Sequence, residues 1–86
     1  MRFISVSYTI DPLTDSIILV SGTAANITLP LPTAVLVGTV FRITNIGAAA
    51  CNVISAGGAN VNGVGSYAQA QYVSKEWITK GSQWFG

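Results

Sequence analysis

Every periodic stretch of this chain alternates apolar and polar residues with a period of two, and none sustains the 3.6-residue period of a helix beside capping residues. Ile4, Val6, Tyr8 and Ile10 alternate with Ser5, Ser7 and Thr9, the pattern of a half-buried strand. Asp11-Pro12 ends it, because proline donates no ladder hydrogen bond. Ser16 to Val20 is a short β-branched run that predicts a strand covered on both faces. Ser21-Gly22 punctuates it.

Asn26 to Leu31 alternates again, and Pro30 and Pro32 place it at an edge or a strand end. Thr39 to Ile46 predicts a central strand, with Phe41 and Ile43 on one face and Val40, Arg42 and Thr44 on the other. Cys51 to Ser55 is a further short strand. Asn62-Gly63 is a tight-turn signal inside a glycine- and asparagine-rich stretch. Tyr72 to Lys80 alternates, with Val73 and Trp77 opposite Tyr72 and Ile78. Lys80 to Gln83 reads as a polar turn before a last strand at Trp84-Phe85, and Ala68 to Tyr72 has room for one helical turn at most. Seven or eight short strands predict one all-β domain over residues 1–86, a small sandwich or jelly-roll-like barrel.

Such a domain must coat its surface, and this one has little charge to do it with. Only 8% of its 86 residues are charged while 50% are hydrophobic, against about 25% charged in an ordinary soluble domain. The surface is then either built of Ser, Thr, Asn and Gln or covered by other subunits. A lone cysteine excludes a disulfide within the chain, and the absence of histidine excludes the usual zinc sites. Packing and oligomerisation remain as sources of stability. Cys51 reads as a small buried hydrophobe in a chain made in a reducing cytosol.

Several partner classes fall away. Arg2, Arg42, Lys75 and Lys80 are scattered, so no basic patch predicts nucleic-acid binding. The longest apolar stretch, Ala34 to Phe41, is far below the ~20 residues that span a bilayer. The N-terminus lacks a clean signal-peptide core, and without one the Asn26-Ile27-Thr28 glycosylation pattern is chance.

No catalytic set assembles either: the commonest general base is missing, and the chain calls for no cofactor. Asp11 and Asp15 read as an exposed turn; a calcium site there would lack the usual dense acidic spacing. Gly57, Gly58, Gly63 and Gly65 precede no helix, so they read as turn positions, not a phosphate cradle. Tyr67, Tyr72, Trp77 and Trp84 read as core or interface in preference to a sugar-stacking platform.

The segments Ile27-Thr28-Leu29-Pro30, Gly38 to Gly47, Val53-Ile54 with Gly57-Gly58, Val61-Asn62-Gly63, Ser66-Tyr67, Tyr72-Val73-Ser74 and Trp84-Phe85 occur in an order that resembles a module of tail fibres and other surface proteins of tailed bacteriophages. The resemblance runs from near Ser16 to Gly86. Lys80 stands where that module usually has an acidic residue, and Cys51 where Thr or Val is typical. The resemblance implies a β-rich homotrimer on a virion surface, with no catalytic residues.

A chain of this size lacks an attachment segment and shaft, so the expectation is a standalone decoration (cement) protein. It would bind as trimers to the phage major capsid protein on the outside of the head, with residues 1–15 as an arm touching coat or neighbour. Expected interface residues are Phe3, Ile4, Val6, Tyr8, Trp77, Trp84 and Phe85; Phe41, Ile43, Trp77 and Trp84 are candidates for core or trimer axis. The alternatives are a receptor-binding or fibre-tip module, which would put exposed aromatics such as Trp77 or Tyr67 on a host glycan, or a small secreted or cellular carbohydrate-binding module.

Overall fold

A computed structural model describes residues 1–21 and 25–86. Among the described residues nine strands form two sheets: β1 (Arg2–Ile4), β2 (Tyr8–Thr9), β3 (Ile17–Val20), β4 (Asn26–Leu29), β5 (Val40–Asn45), β6 (Cys51–Ser55), β7 (Tyr67–Gln69), β8 (Ser74–Lys80) and β9 (Gln83–Phe85). The first sheet runs β1-β3-β5-β8-β9 and the second β2-β4-β6-β7. Two 3-10 turns, at Pro32–Ala34 and Ala56–Gly58, are the helical elements among the described residues. No helix there is long and apolar enough to cross a membrane.

The topology is a coil. The first six strands alternate between the sheets, and each pairs in parallel with the strand two places on: β1 with β3, β3 with β5, β2 with β4 and β4 with β6. A parallel pair needs a crossover, and here each crossover is a strand of the opposite sheet. The coil then reverses: β7 is antiparallel to β6, β8 to β5 and β9 to β8. The two sheets are stacked and open, so the sandwich expectation holds in outline and the barrel closure does not.

Two strand expectations need correction. Ile4 to Ile10 is not one strand: it breaks at Ser5–Ser7, and its halves lie in different sheets. Ile4 and Ile10 are both buried, but Val6 points to solvent where the chain crosses between sheets. Ser7 Oγ holds the corner by accepting the Asn26 amide at 3.1 Å. The run from Ser16 is covered on one face only, because Ile18 and Val20 face inward while Ile17 is exposed and Leu19 half-buried. Of the two placements expected for the Asn26 strand, the structure has the second: the strand is interior, between β2 and β6, and its prolines fall just past its end, where they cost no ladder bond. Gly22, expected to punctuate β3, lies outside the described residues.

Thr39 to Ile46 gives β5, central as expected, with Phe41 and Ile43 inward. Inward residues of both sheets make one core: Ile18, Val20, Phe41, Ile43, Trp77 and Trp84 from the first, Ile27, Leu29, Cys51 and Val53 from the second. Phe41 and Trp84 pack with ring centroids 5.6 Å apart, and Tyr67 meets Trp77 edge-on at 5.4 Å.

Polar pins fix the layers. Trp84 Nε1 donates to the Pro30 carbonyl at 2.9 Å. Gln69 Nε2 donates to the carbonyls of Ile43 and Val73 at 2.7 and 2.8 Å, and Asn45 Nδ2 donates to the Gln69 carbonyl at 2.9 Å. Such buried bonds are costly to break, because a lone buried polar group keeps its desolvation penalty.

Asn62-Gly63 forms the expected turn, with φ of 50° and 79°, the two positive values of a primed hairpin turn. Val61 and Val64 close it across the chain. Asn62 accepts the Gly86 amide at 2.8 Å and donates to its carbonyl at 3.2 Å, which fastens the end of β9.

Candidate interaction site

Two surfaces and one polar cluster hold what chemistry the fold presents. The first is the outer face of the first sheet. Cross-strand register sets Val40 opposite Ile78 and Ile78 opposite Phe85. All three are partly open to solvent, so an apolar row crosses β5, β8 and β9. Leu36 and Val37, 85% and 74% exposed, extend it through the segment that leads into β5. Val37, Gly38, Ile78, Thr79, Lys80 and Phe85 line an open groove of about 480 Å³ there. Farther along the face Arg42 pairs with Glu76 at 3.3 Å; both are exposed, so the pair adds little stability.

The second surface is the outer face of the second sheet. Its residues are Thr9, Asn26, Thr28, Asn52, Ile54 and Ala68, opposed to one another across the strands. Asn52 Nδ2 donates to Asn26 Oδ1 at 3.2 Å. This face carries no formal charge and only one large apolar residue.

The polar cluster sits where β1 and β2 meet the turn after them. Asp15 is buried, not exposed as expected. Its Oδ1 accepts Arg2 Nε at 3.1 Å, and its Oδ2 accepts the Tyr8 hydroxyl and the Asp11 amide, the latter at 3.0 Å. Burial pushes the Asp15 carboxyl up, but the hydrogen bonds from Tyr8, the Asp11 amide and Arg2 outweigh it and leave it below the ordinary carboxylate value. The same bond to Asp15 raises the Tyr8 hydroxyl. Arg2 also lies over the Tyr8 ring at 5.3 Å. Asp11 Oδ1 caps its own turn by accepting the Leu13 amide at 2.9 Å. Asp15's carboxylate is thus filled by its own chain, and among the described residues no group of three potential metal-binding His, Cys, Asp or Glu side chains converges. Cys51 is buried, and burial raises its thiol.

The seven expected interface residues divide. Phe3 (66% exposed), Val6 (70%) and Phe85 (37%) are at the surface. Tyr8 is half-buried and spends its hydroxyl on Asp15. Ile4, Trp77 and Trp84 are a correction as interface residues: all three lie in the core, and both tryptophans are fully buried, the core placement also expected of the tryptophans together with Phe41 and Ile43. Their large apolar rings fill the space between two thin sheets, where burial is worth most. Trp77 and Tyr67 are packed inward, as the preferred core reading has it, and the glycan platform of the alternative reading does not form: Tyr67 lays its ring on the buried Trp77 and under Lys75.

Leu36, Val37, Val40 and Ile78 were not singled out by the sequence as interface residues. The signal was there: they belong to the longest apolar stretch and to the outward positions of the two longest strands. No known family model, curated protein or solved structure matches this chain.

Proposed function

We propose that this chain is a non-catalytic virion structural protein, a decoration protein that binds as homotrimers to the major capsid protein on the outside of an icosahedral phage head. The observation that carries the assembly part is the apolar row Val40–Ile78–Phe85 with its groove. Outward strand positions are ordinarily polar, and contiguous apolar surface on a small domain marks an interaction site. A chain with 8% charged residues has few other means of keeping that row apart from another protein. The virion part rests on the resemblance of the segments from Ile27 to Phe85 to phage surface modules.

In this reading the outer face of the first sheet joins subunits, and the polar second sheet faces away. Its task is to add interface area across coat-subunit junctions, so that the shell resists internal pressure.

Native mass spectrometry over a dilution series tests the assembly. A species at three times the 8.9 kDa chain mass, lost in Ile78→Glu, is expected. A monomer at all concentrations, in the presence and absence of coat protein, would remove the reading. Copy number per particle then separates a decoration protein, in the hundreds, from a fibre-tip module, in the tens or fewer.

A further inference from the structure

The two ends of the coil are finished differently. At the end formed by β9, the outer edge is covered: the Asn62 amide donates to the Trp84 carbonyl at 2.8 Å, and the Trp84 amide to the Asn60 carbonyl at 3.0 Å. At the other end, β1 and β2 are the outermost strands of their sheets, and among the described residues each has one neighbour.

The register shows which backbone groups are left over. Ile4 lies opposite Val20, and its carbonyl accepts the Ser21 amide at 2.9 Å. Ile4 therefore points its backbone groups at β3. Successive residues of a paired strand point their N–H and C=O to opposite sides, so those of Phe3 aim outward. The same reasoning applies in β2, where the Ile10 amide donates to Thr28 at 2.9 Å and Thr28 stands opposite Thr9. Tyr8 and Ile10 face β4, and Thr9 faces outward. Among the described residues neither Phe3 nor Thr9 has a backbone partner on its outer side.

An edge of this kind is a template for another strand, and proteins usually guard it with lysine, proline or a bulge. The β1 edge has none of these; it is guarded only by its shortness, three residues, which still leaves Phe3 free to exchange one pair of bonds. Its one charge, Arg2, is held by Asp15 and the Tyr8 ring. Phe3 beside it is 66% exposed.

We propose that the β1 edge pairs with the β1 edge of a second copy, antiparallel about a two-fold axis centred on Phe3. In that register Phe3 lies opposite Phe3 of the second copy and exchanges two N–H···O=C bonds with it. The phenyl rings then meet on the outer face as a cross-strand aromatic pair. Arg2 lies opposite Ile4 of the second copy, so no like charges are opposed. A two-fold contact uses the same patch on both subunits, and this patch is self-complementary in hydrogen bonding and opposes no like charges. It lies at the edge of the first sheet opposite the Phe85 row, so it is independent of the proposed trimer contact. Pairing would double the unit present, a monomer to a dimer or a trimer to two linked trimers.

The test is sedimentation equilibrium and native mass spectrometry of the full chain, from micromolar to millimolar. Three proteins are compared: wild type, Phe3→Pro and Phe3→Lys. Proline removes the outward N–H and leaves the bonds of Arg2 and Ile4 to β3 in place, and lysine sets two like charges across the axis. The expected result is a doubled species in wild type whose dissociation constant rises at least tenfold in both variants, with far-ultraviolet circular dichroism unchanged. Hydrogen exchange should show the Phe3 amide protected at high concentration and free on dilution. A wild type that doubles but forms no trimer at any concentration would sink the trimer reading alone. Doubling that persists in both Phe3 variants, or wild type that never doubles at millimolar concentration, overturns this proposal.

Discussion

The outer faces of the two sheets have the same pleat and similar strand lengths, yet opposite chemistry. The second sheet presents Thr9, Asn26, Thr28 and Asn52, side chains that hydrogen-bond one another or water and carry no charge. The first presents Val40, Ile78 and Phe85 in one row, with Arg42, Glu76 and Lys80 around it. Behind both faces lies the same core, so stability against unfolding does not require the difference. A face that must only stay in water can be small and polar. Apolar area held in solvent costs about 25 cal/mol per Å², which is recovered when a partner covers it.

Trp84→Ala should act on both faces at once, because Trp84 closes the layer between them. The expected loss is about 3–5 kcal/mol, read as a lower midpoint in urea; a loss under 1 kcal/mol would mean that the core is not shared. Asp15→Asn comes next. It removes the charge that faces Arg2 and sets an NH2 donor where one carboxylate oxygen had accepted, so the bonds from Arg2, Tyr8 and the Asp11 amide cannot all be kept, at a cost of about 1–3 kcal/mol at neutral pH.

Because the folded Asp15 carboxyl lies below its ordinary value, its contribution is full above about pH 4 and is lost as pH falls through the folded value. Wild type should therefore lose stability on acidification more steeply than Asp15→Asn in parallel urea titrations. Tyr8, raised by the same bond, contributes stability below about pH 10 that is lost as pH rises through its folded value. Parallel slopes for the two proteins would show that the cluster does not couple β1 to the turn.

Ile78→Glu tests the apolar face itself. Self-association should weaken at least tenfold, about 1.4 kcal/mol, while the unfolding midpoint of the monomer moves little. The smallest effect belongs to Asn52→Lys on the polar face, expected within about 0.5 kcal/mol in stability and without effect on mass. If Asn52→Lys dissociates the assembly and Ile78→Glu does not, the two faces have been assigned the wrong way round.

Legibility in the sequence followed distance along the chain. Alternation in Val40–Asn45 gave β5 with Phe41 and Ile43 on the inward face, since one residue's neighbours set its face, and Cys51–Ser55 was legible as the strand β6. Asn62-Gly63 gave its turn because positive φ at two successive positions favours asparagine and glycine. The coil was not legible. Arg2 faces Ile18 and Ile18 faces Ile43, steps of 16 and 25 residues, so no fixed repeat marks it. Apolar alternation from Ile4 to Ile10 hid the corner at Val6, because either side of a corner can keep the same pattern while the sheet changes. Asp15 read as exposed because its partners Arg2 and Tyr8 reach it only through the fold.

Read alone, the sequence determined an all-β chain, most of its strands and the inward residues of the longer ones. It also determined that charge is too scarce to cover the surface, since composition and period are properties of the chain itself. Only the tertiary structure decided that Trp77 and Trp84 are interior while Phe3 and Phe85 are not. It alone decided that one end of the coil is capped and the other open. Alternation tells two faces apart without saying which layer, neighbour or solvent each face will meet; that is settled by pairing between residues far apart in sequence.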